Sequence, residues 1–169
     1  MRRTIGVLVM EHIAVGLVED NKVVGPLGVY PQQGALDILA GMPADSIGDC
    51  IKQQIESVAK GEKIDAIGLG FPGIIRHGVV EDSPNLQQVK GFHLQAALSS
   101  AALSGHASVP VRIFNDADAM AAGIAAARDK LHKLIRVWTL GNGVGFGRYP
   151  WTEGVWEGGH SVVTLDPKE

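Results

Sequence analysis

The chain has 169 residues, 46% of them hydrophobic, with 15 basic against 18 acidic side chains for a formal charge of −3. That is enough apolar material for one packed core and part of a second, and the lack of a basic run argues against binding a nucleic-acid backbone or an anionic membrane surface. Cys50 is the only cysteine, so no intramolecular disulfide and no multi-cysteine zinc site can be built from this chain alone, and a reducing, cytoplasmic setting is expected.

The start, Met1-Arg2-Arg3, is basic, but the apolar stretch behind it is broken by Glu11 and His12. With no small-residue cleavage site following, no signal peptide is expected, and no apolar run approaches the roughly 20 residues of a bilayer-spanning helix. Residues 4–10, 13–18 and 22–27 are β-branched and apolar, with Glu19-Asp20-Asn21 supplying turn chemistry, and predict a three-stranded meander. A Pro- and Gly-rich passage over 25–42 follows, with a short helix expected near 35–40. Asp45 is expected to cap a helix whose apolar face carries Ile47, Cys50, Ile51, Ile55 and Val58.

Residues 66–71 read as a buried strand ending at Pro72-Gly73, and Ile74-Ile75 and Val79-Val80 flank Arg76-His77-Gly78 as a small hairpin. An alanine- and leucine-rich helix is expected over 94–103, a strand over 111–114, a helix over 117–131 and a strand over 134–140. The order is one complete α/β lobe and then a new strand-and-hairpin unit that repeats how the chain began. The expected division is therefore 1–133 as a first lobe and 134–169 as the opening of a second.

Three groups of residues can carry chemistry. Asp116 stands where a strand meets a helix, beside a positive helix terminus that favours an ionised carboxylate. Such a group can take a proton from an attacking hydroxyl, and Asn115 beside it offers both a donor and an acceptor. Asp and Asn are equally the preferred helix caps, so the local sequence leaves a base and a simple cap both open; Asp118 reads most simply as compensating the helix dipole.

The run Leu140-Gly141-Asn142-Gly143-Val144-Gly145-Phe146-Gly147 places four glycines at alternate positions. Their bare backbone N–H groups can meet phosphate oxygens, or they can simply soften a β-turn. In Glu157-Gly158-Gly159-His160 a glycine turn can aim a carboxylate and an imidazole at one ligand; a surface loop is the plainer alternative. The remaining histidines show no metal-ligand spacing.

Taken in order, Gly68-Leu69-Gly70-Phe71-Pro72-Gly73, Gly78-Val79-Val80 with Ser83-Pro84-Asn85-Leu86, Phe114-Asn115-Asp116-Ala117-Asp118-Ala119, Thr139-Leu140-Gly141-Asn142-Gly143-Val144-Gly145 and Glu157-Gly158-Gly159-His160 resemble the ROK family (repressor, open reading frame, kinase). Phe71-Pro72-Gly73 and His77-Gly78-Val79-Val80 look like its polyphosphate glucokinase branch. The resemblance implies the α/β, actin-like (ribonuclease H-like) sugar kinase fold, present as a complete first lobe and the start of the second, with sugar and nucleotide meeting between lobes. It implies Asp116 as catalytic base, Asn85, Asn115, Glu157 and His160 as sugar contacts, and Gly141, Asn142, Gly143 and Gly145 as the second phosphate loop. The implied phosphate donor is ATP or polyphosphate with Mg2+. Zinc is not expected from this chain alone, because the cysteine cluster that soon follows the equivalent of His160 in zinc-containing members is not among its 169 residues.

Departures from the family pattern are as informative. Members open with an Asp-x-Gly-Gly-Thr loop after the first strand, whereas this chain has Leu8-Val9-Met10-Glu11-His12. Side chains fill the space that bare backbone would leave, and Glu11 adds a repulsion on the order of a few kcal/mol at contact distance from a phosphate in a partly buried cleft. Asn142 replaces the usual threonine of the second loop, and Phe146 stands where glycine is common. Family kinases also run well beyond this length, so an unfinished second lobe is expected to leave apolar surface and strand edges open to a homo-oligomer or a complementing chain.

Two functions follow from the resemblance. One is a ROK-type kinase, or a portion of one, phosphorylating a hexose; the other is a hexose-binding or regulatory relative that has lost phosphoryl transfer. A ROK transcription factor is less expected, since no helix-turn-helix precedes the first lobe.

Overall fold

The computed structural model describes residues 2–31, 38–100, 109–140 and 144–150. Alternation of β-branched residues near the start gives three strands, β1 (Arg3–Val9), β2 (Ile13–Glu19) and β3 (Lys22–Tyr30), joined as an antiparallel meander. Ile5, Val7 and Val9 of β1 are buried while their neighbours are only partly so, as a period of two requires for a strand covered more fully on one face.

Helix α1 (Ala44–Ala59) lies on that face, burying Ile47, Ile51, Ile55 and Ala59, residues four apart that fall on one side of a helix. Asp45 does not cap it. Pro43 holds the cap position with no side-chain bond, and Asp45 sits exposed in the first turn, where its charge favours the helix dipole. Pro43 suits this boundary because its fixed φ and missing N–H cost nothing where the helix has no partner for that donor. Cys50 and Val58 are partly buried and pack against the core, on the apolar face as expected. A 3-10 turn, Ile38–Gly41, precedes α1, and the rest of the helix expected at 35–40 lies outside the described residues.

Two crossovers then add parallel strands to β1. Strand β4 (Ala66–Phe71) pairs with β1, and β7 (Val111–Asn115) pairs with β4, giving a five-stranded sheet in the order β3-β2-β1-β4-β7. Between them lie a two-stranded hairpin, β5 (Ile74–Arg76) with β6 (Val79–Asp82), and α2 (Leu94–Ser100). Leu94 and Leu98 of α2 join the same buried cluster as α1. The principal core therefore sits between the sheet and the pair α1, α2. The helix expected over 94–103 is described only to Ser100.

Helix α3 (Asp116–Ala127) covers the opposite face. Its buried side chains are Ala117, Ala121 and Ala125, and these small residues let its axis come close to the sheet. Contact is tight enough that a Cβ on Gly70 would lie 2.7 Å from the Ala119 Cβ and 3.0 Å from Leu8. The helix stops at Ala127, earlier than the expected 131, where the Arg128 and Lys130 amides turn back to Ile124 and Ala125.

The chain then forms a separate hairpin, β8 (Ile135–Leu140) with β9 (Val144–Tyr149). It packs against α3 rather than pairing with the five-stranded sheet. On its other face Trp138, Leu140 and Val144 are exposed, Leu140 to 83%, as is Leu134 just before β8, while Phe146 is buried. No helix among the described residues is long and apolar enough to cross a membrane.

Candidate functional site at the start of helix α3

The ends of β4 and β7 lie side by side, with Phe71 opposite Asn115, so the turn after one strand meets the helix that follows the other. Asn115 is the N-cap of α3. Its Oδ1 accepts from the Ala117 amide at 2.9 Å and the Asp118 amide at 3.3 Å, two donors that the helix itself leaves without partners. Its Nδ2 donates to the Gly73 carbonyl at 2.9 Å. One side chain thus joins the Phe71-Pro72-Gly73 turn to the first turn of α3.

Gly73 has φ +110°, and a Cβ there would overlap the Asp82 carbonyl and approach Ser83 Cα to 2.9 Å. Only glycine lets this turn lie on the backbone that leaves β6. Ser83 is fully buried, and its hydroxyl has no hydrogen-bonding partner among the described residues. Asn85 follows two residues later, exposed in the turn before Leu86.

The cap is therefore Asn115, which leaves Asp116 the first residue of the helix with a partly buried carboxylate. Burial pushes the Asp116 carboxyl above the usual aspartate value, against the lowering effect of hydrogen bonds from the Ala117 and Asp116 amides and the Asn115 side chain. This reverses the expectation that the helix terminus simply favours the ionised form, because desolvation outweighs the local donors. A carboxylate so placed is a stronger proton acceptor than one in water.

Asp118 lies in the first turn of α3, where its charge suits the helix dipole as expected, and it makes a bond besides. Its Oδ1 accepts from the Arg148 amide of β9 at 2.7 Å. Burial raises its carboxyl first of all, the Arg148 backbone bond and guanidinium charge lower it, and the neighbouring Asp116 raises it further. No sequence signal marks this bond.

Around the glycine-rich hairpin, Gly145 is packed beneath the Thr139 side chain, and a Cβ on Gly145 would lie 3.7 Å from the Ala117 Cβ. A Cβ on Gly147 would overlap the Ala117 carbonyl and reach the Asp118 amide at 2.7 Å. The last of the four glycines is thus required for docking on α3 rather than for leaving donors bare. Phe146, between them in sequence, is buried on the opposite face of β9 and stacks edge-on against its cross-strand neighbour Trp138 with ring centroids 4.7 Å apart. The structure brings Asn115, Asp116 and Gly145 together around the first turn of α3; Asn85 is an exposed residue two positions beyond Ser83, whose backbone borders Gly73. Gly141, Asn142, Gly143, Glu157 and His160 lie outside the described residues.

Comparison with known proteins bears on this arrangement. The ROK family model matches residues 38–163, a stretch that begins after the β1–β3 meander. Among solved structures, an inorganic polyphosphate/ATP-glucomannokinase from Arthrobacter sp. strain KM is 26% identical with a TM-score of 0.60, covering 90% of this chain and 62% of that one. A ROK family glucokinase from Streptomyces griseus, in complex with glucose and AMPPNP, is 23% identical with a TM-score of 0.65, covering 86% and 44%. A ROK family transcriptional regulator, a homologue of the E. coli MLC protein, is 17% identical with a TM-score of 0.62, covering 86% and 36%. The chain thus spans from about a third to just under two thirds of these relatives. No curated protein matches it significantly. The sheet and its helices have the actin-like fold of ROK sugar kinases.

Proposed function

The chain belongs to the ROK family, and from that premise we propose that it is the sugar-binding, base-bearing portion of a hexose kinase. Asp116 removes the proton of the attacking sugar hydroxyl as that oxygen forms its bond to the terminal phosphoryl group and the bond to the donor breaks. The observation that carries this reading is the Asp116 carboxylate itself: first in its helix, partly desolvated, and relieved of the capping role by Asn115.

Asn85, Glu157 and His160 are the proposed sugar contacts. Asn115 contributes mainly by fixing the Gly73 turn, since its Oδ1 accepts two amides and its Nδ2 holds a carbonyl. Gly141, Asn142, Gly143 and Gly145 are the proposed phosphate contacts. The donor, ATP or polyphosphate, brings its magnesium with it; among the described residues no three His, Cys, Asp or Glu side chains converge as a cation site. The exposed Trp138, Leu140 and Val144 support a second chain, or a second copy, completing the lobe that β8 and β9 begin, and sedimentation at increasing concentration tests this.

A second reading, a hexose-binding relative without phosphoryl transfer, is favoured by one observation. The turn from β1 to β2 carries Met10, Glu11 and His12, all exposed, where a phosphate loop needs bare backbone. A phosphoryl-transfer assay with glucose, mannose, N-acetylmannosamine and N-acetylglucosamine against ATP and polyphosphate separates the two. Turnover that Asp116→Asn abolishes supports the kinase. Hexose binding by calorimetry with no turnover on any donor supports the second reading, and no hexose binding at all defeats both.

A further inference from the structure

The first turn of α3 and the β8–β9 hairpin meet through two contacts. The Ala117 carbonyl and Asp118 amide press on Gly147 so closely that no other residue fits, and Asp118 Oδ1 accepts the Arg148 amide at 2.7 Å. These two residues of β9 are consecutive, so the strand is held at adjoining points by adjoining residues of the helix. The Asp118 amide is itself held by the Asn115 cap, which continues the chain of bonds to Gly73.

We propose that Asp118 is a positioning residue that latches β9 onto the first turn of α3, so that Gly145 and the Asp116 carboxylate are carried on one block. In the kinase reading, on which the functional meaning of the latch rests, this fixes the phosphate end of the reaction against the base. Any motion of the hairpin that separated them would have to break a charge-assisted hydrogen bond in a partly buried setting. Burial, which raises the Asp118 carboxyl, keeps this bond partly out of water, beyond the complement that a first-turn carboxylate gives the helix dipole.

The test does not depend on catalysis. Amide hydrogen exchange of the whole chain is compared among the wild type, Asp118→Ala and Asp118→Asn. In Asp118→Ala the Arg148 amide is expected to exchange roughly 10- to 100-fold faster, the range for losing a hydrogen bond to a charged acceptor, while amides of α1 keep their protection. Asp118→Asn retains an acceptor oxygen and is expected to restore protection to within a few-fold of the wild type. Equal protection of Arg148 in wild type and Asp118→Ala overturns the proposal, as does an Asp118→Asn variant as unprotected as the alanine. If the alanine variant unfolds, the same pair is compared in the Asp116→Asn background, in which a desolvated charge has been removed. Failure of the latch shows in exchange alone; failure of the kinase reading shows in the transfer assay with exchange unchanged.

Discussion

The hairpins β1–β2 and β8–β9 both close over three residues, 10–12 in one and 141–143 in the other, yet they are seated in opposite ways. In the first, β1 is bonded on both sides, to β2 and to β4, and Ile5, Val7 and Val9 anchor it in the main core. Its turn residues Met10, Glu11 and His12 are exposed. In the second, β8 pairs with β9 alone among the described residues, and the hairpin is fixed through Gly147 and Asp118 to the first turn of α3, beside Asp116. The family match includes the second hairpin and leaves out the first. A phosphate loop depends on backbone freed of side chains, and a hairpin can keep its strands while its turn carries them; the first hairpin presents three exposed side chains at its turn, and the second is glycine-rich and placed by the helix that carries Asp116.

The largest expected effect falls where the second hairpin meets that helix. In the kinase reading, Asp116→Asn should lower phosphoryl transfer by roughly 10²- to 10⁴-fold, the range for losing a general base, with hexose affinity by calorimetry nearly unchanged. It should also raise the melting temperature at neutral pH. The folded pKa of Asp116 lies above its unfolded value, so the folded state binds the proton more tightly, and stability falls as pH rises from the ordinary aspartate pKa through the folded one. The variant escapes that loss at pH 7 and should lose its advantage below the ordinary aspartate pKa, near pH 4; a gain that persisted there would show that its origin is not ionisation.

Seating rather than chemistry is probed by a pair of glycines. Gly147→Ala should cost about 2–4 kcal/mol in urea unfolding, since its Cβ overlaps helix backbone that cannot turn aside. Gly6→Ala in β1 should stay within about 1 kcal/mol, because the nearest atom to its Cβ is Val18 Cγ2 at 3.5 Å, an ordinary contact. Equal costs at both positions would show that the two hairpins are held alike.

A smaller effect is expected at the first turn. Replacing Met10, Glu11 and His12 with glycine, in a chain completed by a C-terminal half, should tighten phosphate-donor binding about tenfold, corresponding to ~1.4 kcal/mol. No gain would show that the side chains of this turn do not limit donor binding. Smallest of all, Ser83→Ala removes a buried hydroxyl with no partner among the described residues, and should be neutral or stabilising by up to about 1 kcal/mol. A clear destabilisation would reveal a partner for it.

The sequence by itself determined what short-range physics fixes. Alternation placed the meander, the spacing of Ile47, Ile51 and Ile55 placed α1, and Asn115-Asp116 after a β-branched run marked the strand-to-helix junction of the site. The family could also be read from its ordered motifs, because each is a short run of consecutive residues. Tertiary structure decided which of two adjacent polar residues caps the helix and which keeps its carboxylate clear of that role: Asn115 accepts the helix amides and reaches Gly73, 42 positions away in the chain. It decided that Asp118 bonds Arg148, 30 residues away, and that Gly147 belongs to a packing contact. Desolvation of Asp116 is likewise a property of what surrounds it. A carboxylate's partners and its distance from water are set by residues remote in sequence, and no local pattern encodes them.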